Sequence, residues 1–256
     1  MSLNSFDSKD LAIDVQGLNK SFRSGFWGKK KKVLSEITFS VPSGKTTGFV
    51  GNNGSGKTTS LKCILQFIQP DTGQIHFWGK VADDQLKTKL GYLPERPYLY
   101  EFCTAMEYLK IHWRLGEVKG VTQAHSFKDK AFEVLKKVNL FEARDRTLRS
   151  FSKGMLQRVG IAQALLHDPK LLILDEPMSG LDPDGRFLVK EILKEEKKRG
   201  TTIFFSSHLL QDMEELCEYL VVVHLGQILY NGSLAQFTEK YKNLELAFQM
   251  FKESRR

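Results

Sequence analysis

The sequence is poor in the features that mark disulfide-stabilised, zinc-binding or membrane-spanning proteins. It has three cysteines, Cys63, Cys103 and Cys217, and an odd number without metal-like spacing argues against a disulfide framework or a zinc site. The longest apolar runs, around residues 171–174 and 219–223, are far too short to span a bilayer. The polar first ten residues lack the apolar core of a signal peptide. These absences favour a protein that is soluble on its own in a reducing cytoplasm.

Composition and charge are those of a globular protein with one large domain or two small ones. Of its 256 residues, 41% are hydrophobic and 27% are charged, which is enough for a sizeable core. The net charge of +8 includes a basic run at residues 29–32, and a solvated loop is favoured there over an anionic partner. The sequence has neither the interleaved aromatics nor the zinc spacing of a nucleic-acid-binding protein, so that partner is not expected.

Strand and helix patterns alternate along the chain. Alternation or short apolar runs predict strands at 11–15, 34–41, 47–50, 74–78, 171–174, 202–206, 220–224 and 227–230. Helical spacing is visible over 61–68, around 134–138, over 155–166 and over 186–198. About 50 residues, from 96 to 149, lack strand signals and predict a helical insertion. The pattern as a whole predicts an α/β fold with a mostly parallel sheet.

The most informative segment is residues 51–59, Gly-Asn-Asn-Gly-Ser-Gly-Lys-Thr-Thr. Glycines allow backbone N–H groups to turn inward around a polyphosphate, and the following helix adds its dipole. Lys57 would reach the β and γ phosphates and Thr58 would bind Mg²⁺. The segment, here called the phosphate loop, predicts these nucleotide-binding residues: Gly51, Asn52, Asn53, Gly54, Ser55, Gly56, Lys57, Thr58 and Thr59. The apolar residues 61, 64, 65 and 68 predict that the helix continues to Ile68.

Two acids, Asp175 and Glu176, follow the buried run Leu171–Leu174. Ligand sites in open α/β sheets lie at the carboxyl ends of strands. In this position Asp175 would hold Mg²⁺ through water, and Glu176 would polarise the attacking water as general base. An ordinary strand end with two solvated acids is the alternative.

Residues 151–158, Phe-Ser-Lys-Gly-Met-Leu-Gln-Arg, resemble the signature motif of ABC-type ATPases. Ser152 and Gly154 match the usual Leu-Ser-Gly-Gly-Gln form, whereas Phe151, Lys153 and Met155 depart from it. Residues 179–182 resemble the D-loop of that family, and residues 206–208 resemble its switch-histidine motif. The motifs occur in the family's order, and the resemblance covers about residues 11–235.

The resemblance implies a P-loop NTPase core with an antiparallel β edge subdomain and an inserted helical subdomain, about residues 96–153, carrying the signature motif. It implies binding of ATP and Mg²⁺ in a head-to-tail dimer, either a homodimer or a heterodimer. The residues implied to contact the opposite subunit's ATP are Ser152, Lys153, Gly154 and Met155. Asp182 would link the two sites. His208 would contact the γ-phosphate; a surface histidine is the alternative reading.

The implied adenine and metal contacts involve residues outside the phosphate loop. Phe22 occupies the place where the family stacks an aromatic ring on adenine. Phe26 and Trp27 are the alternative candidates for this contact. The implied metal ligands are Thr58, Asp175 and Glu95. Glu95 stands where the family usually has Gln.

The variant motifs resemble an exporter-type (ABC-2) subgroup whose membrane part is a separate chain. They imply a catalytic role for Lys57, Glu176 and His208 in an ATPase that powers transport. The subunit would lie peripherally at the cytoplasmic face of the membrane, and the aromatic run 96–102 would receive a short helix of the permease. Packing of that run within its own lobe is the alternative.

Two other functions are alternatives to a transporter subunit. They are an ABC-type ATPase acting on nucleic acid or ribosomes, and a non-catalytic nucleotide sensor.

The two ends of the chain are expected to lie outside the ATP-binding domain. Residues 1–10 are expected to be disordered, and residues 236–256 form a candidate helical tail.

Overall fold

A computed structural model describes residues 7–23, 28–81, 83–116, 126–239, 244–246 and 249. The chain divides into two compact units, residues 1–82 with 204–256, and residues 83–203. The strands are β1 (Leu11–Arg23), β2 (Lys30–Pro42), β3 (Thr46–Val50), β4 (Thr72–Phe77), β5 (Lys80–Val81), β6 (Leu90–Leu93), β7 (Leu171–Leu174), β8 (Thr202–Ser206), β9 (Tyr219–His224) and β10 (Gln227–Ser233). The helices are α1 (Lys57–Ile64), α2 (Asp84–Lys87), α3 (Ala105–Leu115), α4 (Phe127–Lys137), α5 (Lys153–Leu165), α6 (Pro183–Lys198), α7 (Leu210–Leu216) and α8 (Leu234–Thr238). The predicted α/β class is confirmed.

The first unit contains an antiparallel sheet with the strand order β2-β1-β4-β5. Strands β1 and β2 pair with Ile13 opposite Val41 and Val15 opposite Phe39, and all four side chains are buried. Alternate residues of each strand therefore face one apolar layer, as a period of two requires. This sheet is the predicted antiparallel edge.

The same unit holds β3, all five of whose residues are buried. It pairs in parallel with β9, and β10 pairs antiparallel with β9. The rings of Phe39, Phe49 and Phe204 lie 5.3 to 5.7 Å apart and join β2, β3 and the part of β8 that belongs to this unit in one aromatic core. This core fixes the carboxyl end of β3, from which the phosphate loop leaves.

The second unit pairs β6 with β7 in parallel, from Leu90 opposite Leu171 to Leu93 opposite Leu174. Helices α3, α4 and α5 lie between these strands in sequence. Helices α3 and α4 fall within the predicted helical insertion, and α5 falls on the helical spacing over 155–166. Helix α3 begins with a capping box in which Thr104 and Glu107 each bind the other's backbone N–H. The unit, residues 83–203, is larger than the predicted lobe of about 96–153, because it also contains β6, β7 and α6.

Several boundaries differ from the sequence-based expectations. Helix α1 ends at Ile64 rather than at Ile68, because Gln66 adopts a left-handed conformation with φ of 60°. Strand β6 had no recognised strand signal, since its four residues are too few for a clear alternation. The segment 1–10 was predicted to be disordered. Its residues 1–6 lie outside the described residues, whereas Ser8–Asp10 forms a 3₁₀ helix.

The predicted helical tail, residues 236–256, lies mostly outside the described residues. Within its described part, Leu244 is buried and its N–H donates to the carboxylate of Glu214 on α7. No helix of the described ranges is both long and apolar enough to cross a membrane.

Candidate functional site

The phosphate loop joins β3 to α1, and its backbone depends on glycine. Gly54 has φ of 76° and Gly56 has φ of 107°, a region that residues with a Cβ rarely adopt. Helix α1 begins at Lys57, directly after Gly56. The N–H groups of its first turn have no partner within the helix, so this end is suited to an anion.

Lys57 folds back over the phosphate loop rather than into solvent. Its side chain is buried, with the residue 7% exposed, and its Nζ donates to the carbonyl oxygens of Gly51 at 2.7 Å and Asn52 at 3.3 Å. A cation held in this way lies inside the loop.

Ser55 tests whether a phosphate group fits the loop. Its Oγ is buried and has no hydrogen-bond partner among the described residues. A Cβ added to Gly51 would lie 2.6 Å from this oxygen and 2.3 Å from the carbonyl oxygen of Val223. A buried hydroxyl needs an acceptor or a donor. A polyphosphate supplies acceptors, so the loop fits the phosphates of a nucleotide.

The turn between β9 and β10 holds the phosphate loop from outside. The N–H of Gly226 donates to the carbonyl oxygen of Ser55 at 2.9 Å, and the carbonyl oxygen of Gly226 accepts from the N–H of Ser35 at 2.7 Å. In a trans peptide the C=O and the next N–H point in opposite directions. Because Gly226 binds the Ser55 carbonyl oxygen from outside the loop, the N–H of Gly56 points in the opposite direction, away from Gly226. The sequence alone shows that this turn contains a glycine, but it does not show that Gly226 contacts Ser55.

His208 and Phe22 also belong to the first unit. His208 is exposed two residues after β8, and the preceding Ser207 is buried with its Oγ accepting from the N–H of Leu209 at 3.0 Å. Phe22 lies in β1 opposite Lys31 and is 40% exposed, with the Nζ of Lys20 5.6 Å from its ring centroid. A half-exposed ring suits stacking. The rival platforms, Phe26 and Trp27, lie outside the described residues.

The second unit holds the two acids at the end of β7. Asp175 is 1% exposed, and its N–H donates to the carbonyl oxygen of Leu93 at 2.8 Å. Burial, with the Asp175 carboxylate as a smaller cause, raises the pKa of Tyr92 to about 12. Glu176 is partly exposed and has φ of 52°, so its backbone is left-handed. This conformation turns the chain sharply at the end of the strand.

The signature segment, residues 151–155, lies at the start of α5. Ser152 is the N-cap, and its Oγ accepts from the N–H of Met155 at 3.2 Å. Ser152 and Lys153 are exposed, while Gly154 and Met155 are partly exposed. The segment therefore caps a helix and also presents that helix end to solvent.

Asp182, at the end of the D-loop (residues 179–182), is a helix cap as well. Its Oδ1 accepts from the N–H of Gly185 at 2.9 Å, and Pro183 occupies the first position of α6. Capping is sufficient to explain an acid here, so a second role for Asp182 stays a prediction.

The predicted metal ligands are one hydroxyl and two acids. Thr58 is partly exposed in the first unit, whereas Asp175 and the exposed Glu95 belong to the second. Within the described ranges, no group of three or more His, Cys, Asp or Glu side chains is placed to hold a metal. A hydroxyl and carboxylates are nevertheless suitable donors for Mg²⁺, which keeps several waters and needs few protein ligands.

Comparisons with known proteins agree with these features. The profile of the family described as ABC transporter matches residues 34–179. An uncharacterized ABC transporter ATP-binding protein of Nostoc sp. is 43% identical over 226 residues, which cover 87% of this chain and 66% of that protein. A second such protein, from Synechocystis sp., is 42% identical over 88% of this chain and 63% of its own length. This chain thus spans just under two thirds of these two relatives.

A further relative and a solved structure cover more of their own length. The bacitracin transport ATP-binding protein BcrA of Enterococcus faecalis is 34% identical over 90% of this chain and 72% of that protein. A solved structure of an ATP-binding subunit of an ABC transporter is 28% identical with a TM-score of 0.82, covering 94% of this chain and 99% of that chain.

Proposed function

The chain belongs to the ABC transporter family, and from that membership we propose that it is the ATP-binding and ATP-hydrolysing subunit of a membrane transporter. The proposal rests on the phosphate loop, which combines the buried Lys57 with two glycines in the left-handed conformation, Gly54 and Gly56. ATP is the proposed ligand. The buried hydroxyl of Ser55 supports a phosphate group next to it.

The phosphate loop would bind and orient the nucleotide. Lys57 and the loop N–H groups would stabilise negative charge on the β and γ phosphates, and Phe22 would stack on the adenine. Thr58, Asp175 and Glu95 are the proposed ligands of Mg²⁺, which would neutralise charge between the phosphates. Fixed positive groups of this kind supply most of the catalysis in phosphoryl transfer.

Hydrolysis also needs an oriented water. Glu176 is proposed to polarise it as general base, and His208 to contact the γ-phosphate. The position of Glu176 directly after β7 supports this role, because ligands bind at the carboxyl ends of strands in open α/β sheets. Ser152, Lys153, Gly154 and Met155 would contact the ATP of a second subunit, and Asp182 would link the two sites.

The proposed partners follow from the same membership. A second ATP-binding subunit, identical or not, would complete the nucleotide sites, and a separate permease would hold this subunit at the cytoplasmic face of the membrane. Export is the proposed direction, supported by the resemblance of the variant motifs to exporter subunits. The name of one relative, a bacitracin transport protein, supports a transport role.

Lys57→Ala tests the proposed function. We expect ATP hydrolysis, measured as phosphate release by the purified chain, to fall by about 100-fold or more, as when one fixed donor to a reacting anion is removed. Lys62→Ala is the matched control, because Lys62 is an exposed lysine on the same helix. Hydrolysis by Lys57→Ala at the wild-type rate would show that this loop does not serve ATP.

A further inference from the structure

Glu176 has a backbone conformation that must be held by its surroundings. Its φ of 52° lies in the left-handed region, which is unfavourable for a residue with a side chain. Its carbonyl oxygen accepts from the N–H of Ser179 at 3.0 Å, which closes a turn directly after β7. The direction of the carboxylate depends on this turn, since the turn fixes the backbone on both sides of the side chain.

Gln157, on α5, holds the outer side of the same turn. The residue is 4% exposed, and its Nε2 donates to the carbonyl oxygens of Glu176 at 3.3 Å and Pro177 at 3.2 Å. One side-chain amide thus uses both of its N–H groups on two consecutive peptide units. These two units flank Pro177 and set the orientation of the backbone that leaves Glu176.

Gln157 belongs to the helix that begins with the signature segment. Lys153 lies one helical turn before it, and a Cβ added to Gly180 would be 2.7 Å from the Cε of Lys153. A Cβ added to Gly154 would lie 3.4 Å from Leu181. The start of α5 therefore contacts residues 176–181 at several successive points, and the signature segment and the Glu176 turn are packed together.

We propose that Gln157 is a positioning residue that fixes the Glu176 carboxylate by binding its turn to the signature helix. The inference rests on the proposed function, in which Glu176 is the general base. In that function the signature segment contacts the ATP of the opposite subunit. Gln157 therefore connects the helix that senses one nucleotide with the base that acts on the other.

A double-mutant cycle separates this role from a merely structural one. Gln157→Leu removes both donors, and we expect kcat to fall roughly 10- to 100-fold, the factor that corresponds to one or two lost buried hydrogen bonds. The Kd for MgATP should stay within about twofold, because Lys57 and its loop are unchanged. If Gln157 acts through Glu176, Gln157→Leu should cause no further loss in the Glu176→Gln background.

Gln163→Leu is the matched control, since Gln163 is a partly buried glutamine on the same helix. It should retain wild-type kcat. If Gln157→Leu does not fold in a thermal melt, Gln157→Met replaces it, because methionine is unbranched, has a similar length and donates to neither carbonyl. Equal losses in the wild-type and Glu176→Gln backgrounds, or a wild-type kcat for Gln157→Leu, would overturn the positioning role.

A second readout does not depend on hydrolysis. The backbone amide resonances of Glu176, Met178 and Ser179 should shift in Gln157→Leu and stay in place in Gln163→Leu; unmoved resonances in Gln157→Leu would contradict the proposal. A wild-type chain that hydrolyses no ATP would overturn the proposed function, whereas an active wild type with an equally active Gln157→Leu would overturn the positioning role alone.

Discussion

Burial distinguishes two charged residues of the candidate site from the many charges on the surface. Lys57 is 7% exposed and Asp175 is 1% exposed, whereas Lys62, on the same helix as Lys57, is exposed. A buried charge is costly unless it is hydrogen-bonded or paired, and Lys57 meets this need with two loop carbonyl oxygens. The burial of these two charged residues supports their proposed roles in binding nucleotide and Mg²⁺.

Glu95 is the residue at which this chain departs from the family's usual Gln. It is exposed two residues after β6, so its carboxylate is accessible to a hydrated cation. We expect Glu95→Gln to preserve MgATP binding and to raise the Mg²⁺ concentration needed for half-maximal hydrolysis, because a neutral amide binds Mg²⁺ more weakly than a carboxylate.

Glu142→Gln is the control for this change, since it removes the same charge from another exposed position of the second unit. A Mg²⁺ titration of ATP hydrolysis compares the two variants. If Glu95→Gln and Glu142→Gln give the same titration curve as the wild type, Glu95 is not a metal ligand.

At the level of single elements, the local motifs were predictable from the sequence and their long-range supports were not. The phosphate loop, the acids after β7 and the cap at Ser152 depend on neighbours a few residues away. The end of α1 was predicted wrongly, because glutamine is not a residue type that marks the end of a helix and the sequence gives no sign of the left-handed conformation of Gln66. The contacts of Gln157 and Gly226 join distant parts of the sequence, so spacing alone could not reveal them.

The turn between β9 and β10 is an element whose role in nucleotide binding can be tested. Gly226 has φ of 75°, and an added Cβ would lie 2.2 Å from the carbonyl oxygen of Val33. Gly226→Ala should therefore displace the N–H that holds the Ser55 carbonyl and raise the Kd for MgATP by about tenfold or more, the loss expected for roughly one hydrogen bond to a charged ligand.

Gly44→Ala supplies the matched control for Gly226→Ala. Gly44 has φ of 67° in the same unit, but nothing lies within 4 Å of an added Cβ. Both variants should lose roughly 1–2 kcal/mol of unfolding free energy from the left-handed backbone. Only Gly226→Ala should weaken nucleotide binding in a fluorescence titration. If the two variants had equal Kd values for MgATP, the turn between β9 and β10 would have no role in nucleotide binding by the phosphate loop.

For the whole molecule, the order of the motifs carried more information than any one of them. The phosphate loop alone predicts a nucleotide site, and the signature segment alone is explained by helix capping at Ser152. Their order identified the family, because separate short motifs rarely agree by chance. The partners were less predictable, since an interface depends on which side chains remain exposed after folding.

The aromatic run at residues 96–102 is the surface proposed to meet the permease. Tyr98 is 94% exposed, and Tyr100 and Phe102 are also exposed, although the ring of Tyr100 lies 6.4 Å from that of Tyr108. Exposed aromatics in one short segment suit an interface, where rigid aromatic anchors are enriched. The alternative, in which the run packs within its own lobe, is not favoured by these exposures.

Tyr98→Ala combined with Tyr100→Ala should leave the isolated subunit folded and able to bind ATP, because exposed side chains away from special contacts contribute little, within about 0.5 kcal/mol each. Co-purification with the permease should fail. Phe187→Ala, which removes an exposed aromatic from α6 in the same unit, should change neither folding nor assembly. A double variant that unfolds in a thermal melt would place the tyrosines in the lobe's own packing, and one that assembles normally would exclude them from the interface.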